Sequence, residues 1–373
     1  MIVFVTNFVS PHTIPLAEKL YERTGGDFLY IETWKMSSER ASLGYDKERN
    51  KPFVVSYDKY ISKKDFYQDV INKANVVFAS LGSIDLNILR QRAIDNRMTF
   101  LMSERLFKKG FLKLLDIKFW RTIKFINAIK DKNFYLLCMG AYVAKDFKLC
   151  GFPKNRMLKF GYTIKDNNDN FEALISQKST HEIRFLWVGR FIWWKRPFDA
   201  IKAFAKLVDN TNLDISLTIV GGGTLQDEII NCIAKYNKKG KIRFLGQKSN
   251  EEVRQLMTES HYLLCTSNRL EGWGAVINEG ISAGCIVIAN KMMGAAPYLI
   301  KNEETGYLYT GKTNDLYHVL EKITKSPFSI SMARKSFDYL KSDWSADVAA
   351  DRILDFIFNS KPENIKRGIC EYI

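Results

Sequence analysis

Short apolar runs rich in Val, Ile, Leu and Phe recur along this chain, and the stretches between them place their apolar residues at a helical period. The first set covers Ile2 to Thr6, Phe28 to Glu32, Phe53 to Tyr57, Val76 to Leu81, Met98 to Met102 and Phe134 to Met139. Strands alternating with helices in this way predict βαβ units and a parallel sheet. A polar stretch, Lys165-Asp166-Asn167-Asn168-Asp169-Asn170, then interrupts the rhythm as a linker or exposed loop. The alternation resumes with Ile183 to Val188, Ser216 to Val220, Ile242 to Leu245, Tyr262 to Cys265 and Cys285 to Ala289. A helix is predicted over Phe198 to Val208 and another over Ala275 to Ala283, with a last amphipathic one over about Ala346 to Phe358. The expected architecture is α/β: two doubly wound domains facing across a cleft, with ligands at the carboxyl ends of the strands. Residues 1–163 form the first, 164–345 the second, and 346–373 pack back on the first.

The stretch Thr266 to Asn290, TSNRLEGWGAVINEGISAGCIVIAN, sets two glutamates around a short helix opened by a Gly-rich loop. Val276, Ile277, Gly280, Ile281, Ala283 and Gly284 share one broad face of that helix, with Glu279 at its edge and Glu271 in the loop. Free N–H groups at a helix start favour an anion, and glycines admit a ligand close to the backbone. Two solvated glutamates are the alternative reading of the pair. After the strand ending at Val188 comes Gly189-Arg190-Phe191-Ile192-Trp193-Trp194-Lys195-Arg196-Pro197, which puts cations where a parallel sheet collects anions. Arg190 suits bidentate phosphate binding and Lys195 a mobile point charge, a basic surface loop being the other reading. Gly221-Gly222-Gly223, Gly246-Gln247 and Gly294 mark further strand ends.

The order GRFIWWKRP, VGGGTL, IRFLGQKSNEEV, TSNRLEGWGAVINEGISAGCIVIA, MMGAAPYLI and ETGYLY, over about Ile183 to Tyr309, resembles the donor-binding domain of glycosyltransferase family 4. These are retaining enzymes of the GT-B fold, two Rossmann-like domains across a cleft, and the S-P-H-T-x-P-L-A-x-x-L form of Ser10 to Leu20 also resembles enzymes of bacterial surface polysaccharide clusters. The resemblance implies that Glu271 and Glu279 are the E-x7-E pair, the second holding the ribose hydroxyls of a nucleotide and the first contacting the donor sugar. It implies that Arg190 and Lys195 neutralise the donor diphosphate, and Gly189 and Gly222 are further expected donor-binding residues. Gly272, Trp273 and Gly274 fall where backbone N–H groups meet sugar and phosphate, and Gln247 near the nucleobase. Arg190, Lys195 and Glu271 are thus the expected catalytic residues. The first domain matches less closely: it carries Asn7-Phe8-Val9-Ser10-Pro11-His12 and Ser103-Glu104-Arg105 where many members have a glycine pair and a histidine. His12 is the candidate there for contact with donor sugar or acceptor, with a helix cap or plain surface histidine as alternatives.

Composition narrows the partners. The net charge is +15, and up to Thr180 the chain has 30 Lys/Arg against 19 Asp/Glu, so the first half holds most of the excess. Arg105 to Lys132 carries nine basic residues and two acids among Leu, Ile, Phe and Trp120. Such a segment suits an anionic membrane surface, with Lys108, Lys109, Lys113 and Trp120 as contacts; a solvated helix with a buried apolar side is the alternative. No nucleic-acid-binding pattern accompanies the charge. The six cysteines are scattered without a C-x-x-C pair and read as reduced core residues. The chain opens on a strand rather than a signal peptide, and no segment has the roughly 18 apolar residues of a membrane span. A cytoplasmic protein, peripheral on the inner face of the plasma membrane, is expected.

No D-x-D pair stands near the strand ends, so neither a metal nor a cofactor is expected beyond a UDP- or GDP-linked sugar donor. The leading expectation is a hexosyltransferase acting on a lipid-linked or nascent polysaccharide acceptor. A sugar-nucleotide epimerase, a phosphorylase, or a non-catalytic module recruiting partners to the membrane are the rivals.

Overall fold

The computed structural model describes residues 1–37, 45–108, 110–165, 170–359 and 365–373, without the side chains of Tyr45, Phe111, Lys113 and Lys118. The chain divides into two compact units, Met1–Asp166 with Asp343–Ile373, and Asn167–Ser342. Of the polar interdomain stretch, residues 166–169 lie outside the described residues.

The first unit is built on a seven-stranded sheet. Its strands are β1 (Ile2–Thr6), β2 (Phe28–Glu32), β3 (Val54–Val55), β4 (Val76–Ser80), β5 (Met98–Ser103), β6 (Phe134–Met139) and β7 (Met157–Phe160), in the order β3-β2-β1-β4-β5-β6-β7. Every ladder between them is parallel. Helices cover the sheet, so β1 is buried along its whole length and reads as an unbroken apolar run. Helices named below are α1 (Ile14–Arg23), α2 (Ile117–Ile129) and α3 (Val143–Leu149). The third predicted strand is shorter than its apolar run: Ser56 turns the chain and Tyr57 begins a helix, its N–H donating to the Glu32 carboxylate at 3.1 Å.

The second unit carries β8 (Ile183–Val188), β9 (Ile215–Val220), β10 (Ile242–Gly246), β11 (Tyr262–Cys265), β12 (Ile286–Asn290) and β13 (Tyr307–Tyr309), ordered β10-β9-β8-β11-β12-β13 and again wholly parallel. Its helices include α4 (Pro197–Asp209), α5 (Asn250–Glu259) and α6 (Val276–Ser282). A capping box fixes the start of α5: Glu252 N–H donates to the Ser249 hydroxyl, and Ser249 N–H donates to the Glu252 carboxylate. The core is one apolar cluster around Phe185, Trp187, Phe191, Phe204 and Tyr262. The chain then returns to the first unit in α7 (Ala346–Asn359), where Phe356 meets Phe100 edge-on at 5.4 Å and Asp347 pairs with Arg23 at 2.9 Å. All six cysteines are free, five of them buried.

Each sheet reverses direction once, and the reversal places the site. In the second unit β9 lies on one side of β8 and β11 on the other, so the loops after β8 and β11 leave in opposite directions and open a crevice between them.

Candidate active site

Three βα loops of the second unit are laced together before any ligand is considered. The Phe191 N–H donates to the Gly222 carbonyl at 2.8 Å, the Leu225 N–H to the Phe191 carbonyl at 3.0 Å, and the Gly221 N–H to the Gly246 carbonyl at 2.9 Å. Backbones this close leave no room for side chains. A Cβ on Gly221 falls 1.9 Å from the Gly189 carbonyl oxygen, at φ +147°. From the other side, Thr266 accepts the Trp187 indole N–H at 2.8 Å and donates to the Lys195 carbonyl at 2.6 Å. The Asn268 N–H donates to the Trp194 carbonyl at 2.8 Å. The loop after β8 is therefore held rigidly against those after β9 and β11.

This frame brings Lys195 and Glu271 together at the switch point. Their charged atoms lie 2.6 Å apart, with 16% and 17% of the side chains exposed. Gly189 backs the pair, since a Cβ there meets Lys195 Cδ at 3.7 Å. Gly274, at φ +95°, packs so closely that a Cβ falls 2.6 Å from Met293 and 3.4 Å from Glu271 Cγ. Arg190 is exposed in the first loop. Glu279 is half-buried on the first turn of α6. Gln247 is exposed at the end of β10, and its Oε1 lies 3.2 Å from where a Gly222 Cβ would stand. Cys265 ends β11 beside these charges, but burial pushes its thiol far above the usual range and keeps it protonated.

Gly272 and Trp273 are buried, and the Trp273 side chain is an anchor rather than a lining group. Its indole N–H donates to the Asn278 side chain at 2.8 Å, while its carbonyl accepts the Ala295 N–H at 2.9 Å. Asn278 is fully buried, whereas Val276, expected on the core face, is half-buried. The rest of the expected face, Ile277, Gly280, Ile281, Ala283 and Gly284, is buried, and Asn278 joins it as the partner of the indole. A Trp five residues before an Asn, with one glycine between, is the sequence signal for that bond.

The first-unit candidates sit elsewhere in the chain. His12 lies just before α1; its N–H donates to the Ser10 hydroxyl at 3.3 Å, its carbonyl accepts the Thr163 N–H at 3.1 Å, and its ring is 5.6 Å from that of Tyr162. Lys108 pairs with Glu104. Lys109 lies outside the described residues, as does the Lys113 side chain. Trp120 is 56% exposed and its indole N–H donates to the Leu114 carbonyl at 2.8 Å. Around it the sequence reading missed a set of exposed apolar side chains: Leu112 at 71%, Leu115 at 83% and Ile117 at 72%. Among the described residues no group of three or more His, Cys, Asp or Glu is placed to hold a metal ion, and no helix is long and apolar enough to cross a membrane.

Residues 169–337, which contain the whole constellation, match the family described as Glycosyl transferases group 1. The chain is 31% identical over 130 residues to N-acetyl-alpha-D-glucosaminyl L-malate synthase of Bacillus anthracis, covering 35% of this chain and 32% of that protein. It is 27% identical over 180 residues to N-acetylgalactosamine-N,N'-diacetylbacillosaminyl-diphospho-undecaprenol 4-alpha-N-acetylgalactosaminyltransferase of Campylobacter jejuni, covering 45% and 47%. The chain thus spans about a third and about half of these two relatives. Among solved structures, Anabaena Alr3699/HepE in complex with UDP superposes with a TM-score of 0.69 at 14% identity, over 96% of this chain and 99% of the other. That likeness is one of fold, and the fold is GT-B.

Proposed function

We propose that this protein is a retaining glycosyltransferase that moves a hexose-type sugar from a nucleotide diphosphate sugar to a lipid-linked or nascent polysaccharide acceptor, without a metal ion. The observation that carries the proposal is the Lys195–Glu271 contact at the switch point, inside the segment matching Glycosyl transferases group 1. The lipid diphosphate in the Campylobacter relative's name, and the bound UDP of the Anabaena structure, favour both halves of the reaction. On this reading Glu279 binds the ribose, Glu271 the donor sugar, and Arg190 and Lys195 the diphosphate. Gly189 and Gly222 let the backbone approach it, Gly272 to Gly274 offer N–H groups, and Gln247 borders the base.

As the bond from the anomeric carbon to the diphosphate breaks, its electron pair leaves on the phosphate oxygen while the acceptor oxygen bonds to the same carbon and passes its proton to the departing diphosphate. Lys195 and Arg190 stabilise the charge building on the leaving group, and Glu271 orients Lys195 beforehand. His12 is assigned to contact with donor sugar or acceptor. The exposed Leu112, Leu115, Ile117 and Trp120, with the exposed cations Arg121 and Lys124, support a peripheral position on the anionic inner membrane face.

The test is a panel of UDP- and GDP-sugars with membrane lipid extract, watched for nucleotide release. Glu279→Ala is expected to raise the donor KM about tenfold to a hundredfold, the loss of hydrogen bonds to a charged group. Lys195→Ala should lower kcat by about a hundredfold to a thousandfold, as for a removed oxyanion donor. No release with any donor overturns the proposal.

A further inference from the structure

Arg105 follows β5 at the carboxyl edge of the first unit's sheet, and its hydrogen-bonding capacity is largely unspent. Only 13% of the side chain is exposed. Its Nε stands 3.6 Å from the Asp146 carboxylate, an ion pair too long for a hydrogen bond, and that same oxygen accepts the Phe107 N–H at 3.0 Å. The guanidinium lies over the Tyr142 ring, 4.9 Å from its centroid. Glu104, the neighbouring acid, is taken by Lys108. Nε and Nη1 therefore remain buried without a hydrogen-bond partner, and among the described residues no other side chain has two such nitrogens. Buried donors left unmade are costly, and a guanidinium cannot shed its proton to avoid the cost.

The surroundings say what would satisfy it. Carboxyl ends of a doubly wound sheet are where ligands bind, and the guanidinium fork matches a pair of phosphate oxygens. The Phe107 ring leads to Phe119 at 5.3 Å and Phe119 to the exposed Trp120 at 5.8 Å, so Arg105 lies a few side chains behind the exposed apolar face. We propose that Arg105, held over the Tyr142 ring, binds a phosphate ester presented at a membrane surface, namely the diphosphate of the lipid-linked acceptor. The inference rests on the glycosyltransferase reading for the identity of the ester. A single sugar hydroxyl offers one oxygen to two idle donors, whereas a diphosphate engages both after a small rotation of the guanidinium.

Isothermal titration with inorganic pyrophosphate tests it in the Arg190→Ala/Lys195→Ala protein, where both cations assigned to the second unit's diphosphate are removed. Adding Arg105→Gln is expected to weaken pyrophosphate binding at least tenfold, and Arg105→Lys to restore part of it. Asp146→Asn should instead tighten binding, because it removes the competing carboxylate; this opposite sign keeps the experiment readable if Arg105→Gln folds poorly. Phosphatidylcholine vesicles carrying farnesyl diphosphate should bind Arg105→Gln less well than the parent, while vesicles carrying phosphatidylglycerol bind both equally. Unchanged pyrophosphate affinity, or equal losses on both vesicle types, overturns the assignment. Arg105→Gln in the otherwise unaltered protein should keep its nucleotide affinity, so failure of the donor site, read by Lys195→Ala and nucleotide binding, is separately visible.

Discussion

His261 is a buried histidine whose two ring nitrogens are both committed in its neutral form. Nδ1 accepts the Arg184 N–H at 3.1 Å, so Nε2 carries the hydrogen and donates to the Ser179 carbonyl at 3.0 Å. Burial, and then the Lys178 ammonium, push its pKa down to about 4, with Arg184 adding to the depression and Ser179 and Glu182 opposing it. The Lys178 ammonium is spent on the ends of α5 and α6, donating to the carbonyls of Thr258 at 3.0 Å, Ser260 at 2.6 Å and Ala283 at 3.4 Å. Above the unfolded pKa of about 6.5 neither state holds the proton and the neutral ring contributes fully. As pH falls from there, the unfolded chain takes up a proton that the folded ring refuses, so stability falls until about pH 4 and then levels off. The loss is at most about 3 kcal/mol. His261→Gln, which preserves one acceptor and one donor, should flatten the fall in melting temperature between pH 6.5 and 4; an unchanged slope refutes the assignment. Neither Lys178 nor His261 stood out in the sequence, since a lone Lys or His bears no mark of the carbonyls that will surround it.

At the scale of elements, strands were legible wherever apolar runs were long and buried on both faces. β1, β2, β6, β8 and β11 match their expected bounds, and the start of α7 at Ala346 matches as well. β7 and β13 went unread because they are short; β7 interrupts its apolar residues with Lys159 and β13 is partly exposed. The lysine has a use that only tertiary pairing reveals. Residues near the C-terminus run antiparallel to β7: the Lys159 N–H donates to the Glu371 carbonyl at 2.8 Å, the Cys370 N–H to the Lys159 carbonyl at 2.7 Å, and Leu158 bridges Tyr372. The Lys159 ammonium meets the Glu371 carboxylate at 2.7 Å, and Ile369 and Cys370 are buried. This segment covers an edge that otherwise presents unpaired backbone groups. Deleting residues 368–373 should lower the melting temperature by several degrees, from loss of about 2 to 3 kcal/mol of apolar burial, and promote self-association on sizing columns. A truncated chain that melts like the parent and stays monodisperse rules this role out. In the candidate site, the Glu271, Lys195 and glycine positions were legible because ligand-approach loops carry their chemistry in short motifs. The Thr266 and Asn278 bonds that hold them were not, because they join residues through space.

At the scale of the whole molecule, the excess positive charge is not spread evenly, and most of the exposed large apolar side chains among the described residues lie on the same unit as most of it. The first 180 residues hold 30 of the 56 Lys/Arg but only 19 of the 41 Asp/Glu. Leu112, Leu115, Ile117 and Trp120 are each more than half exposed there, a grouping that a soluble surface rarely leaves uncovered. Arg121 and Lys124 stand exposed on α2 with Ile117 and Trp120, whereas Lys108 is partly neutralised by Glu104. The proposed membrane contact therefore centres on α2 rather than on Lys108. Each cation near an anionic surface contributes about 1 kcal/mol, so Arg121→Gln with Lys124→Gln should reduce flotation with phosphatidylglycerol vesicles by about tenfold or more. Leu115→Ser with Trp120→Ser should reduce it through lost burial, and the parent Trp120 emission should shift to the blue on binding. Salt separates the two contributions: raising ionic strength from 0.1 M to 1 M shortens screening from about 10 Å to about 3 Å and should weaken the parent strongly. It should weaken the Arg121→Gln/Lys124→Gln protein much less. Flotation indifferent to both salt and the four substitutions means that this face meets something other than an anionic bilayer.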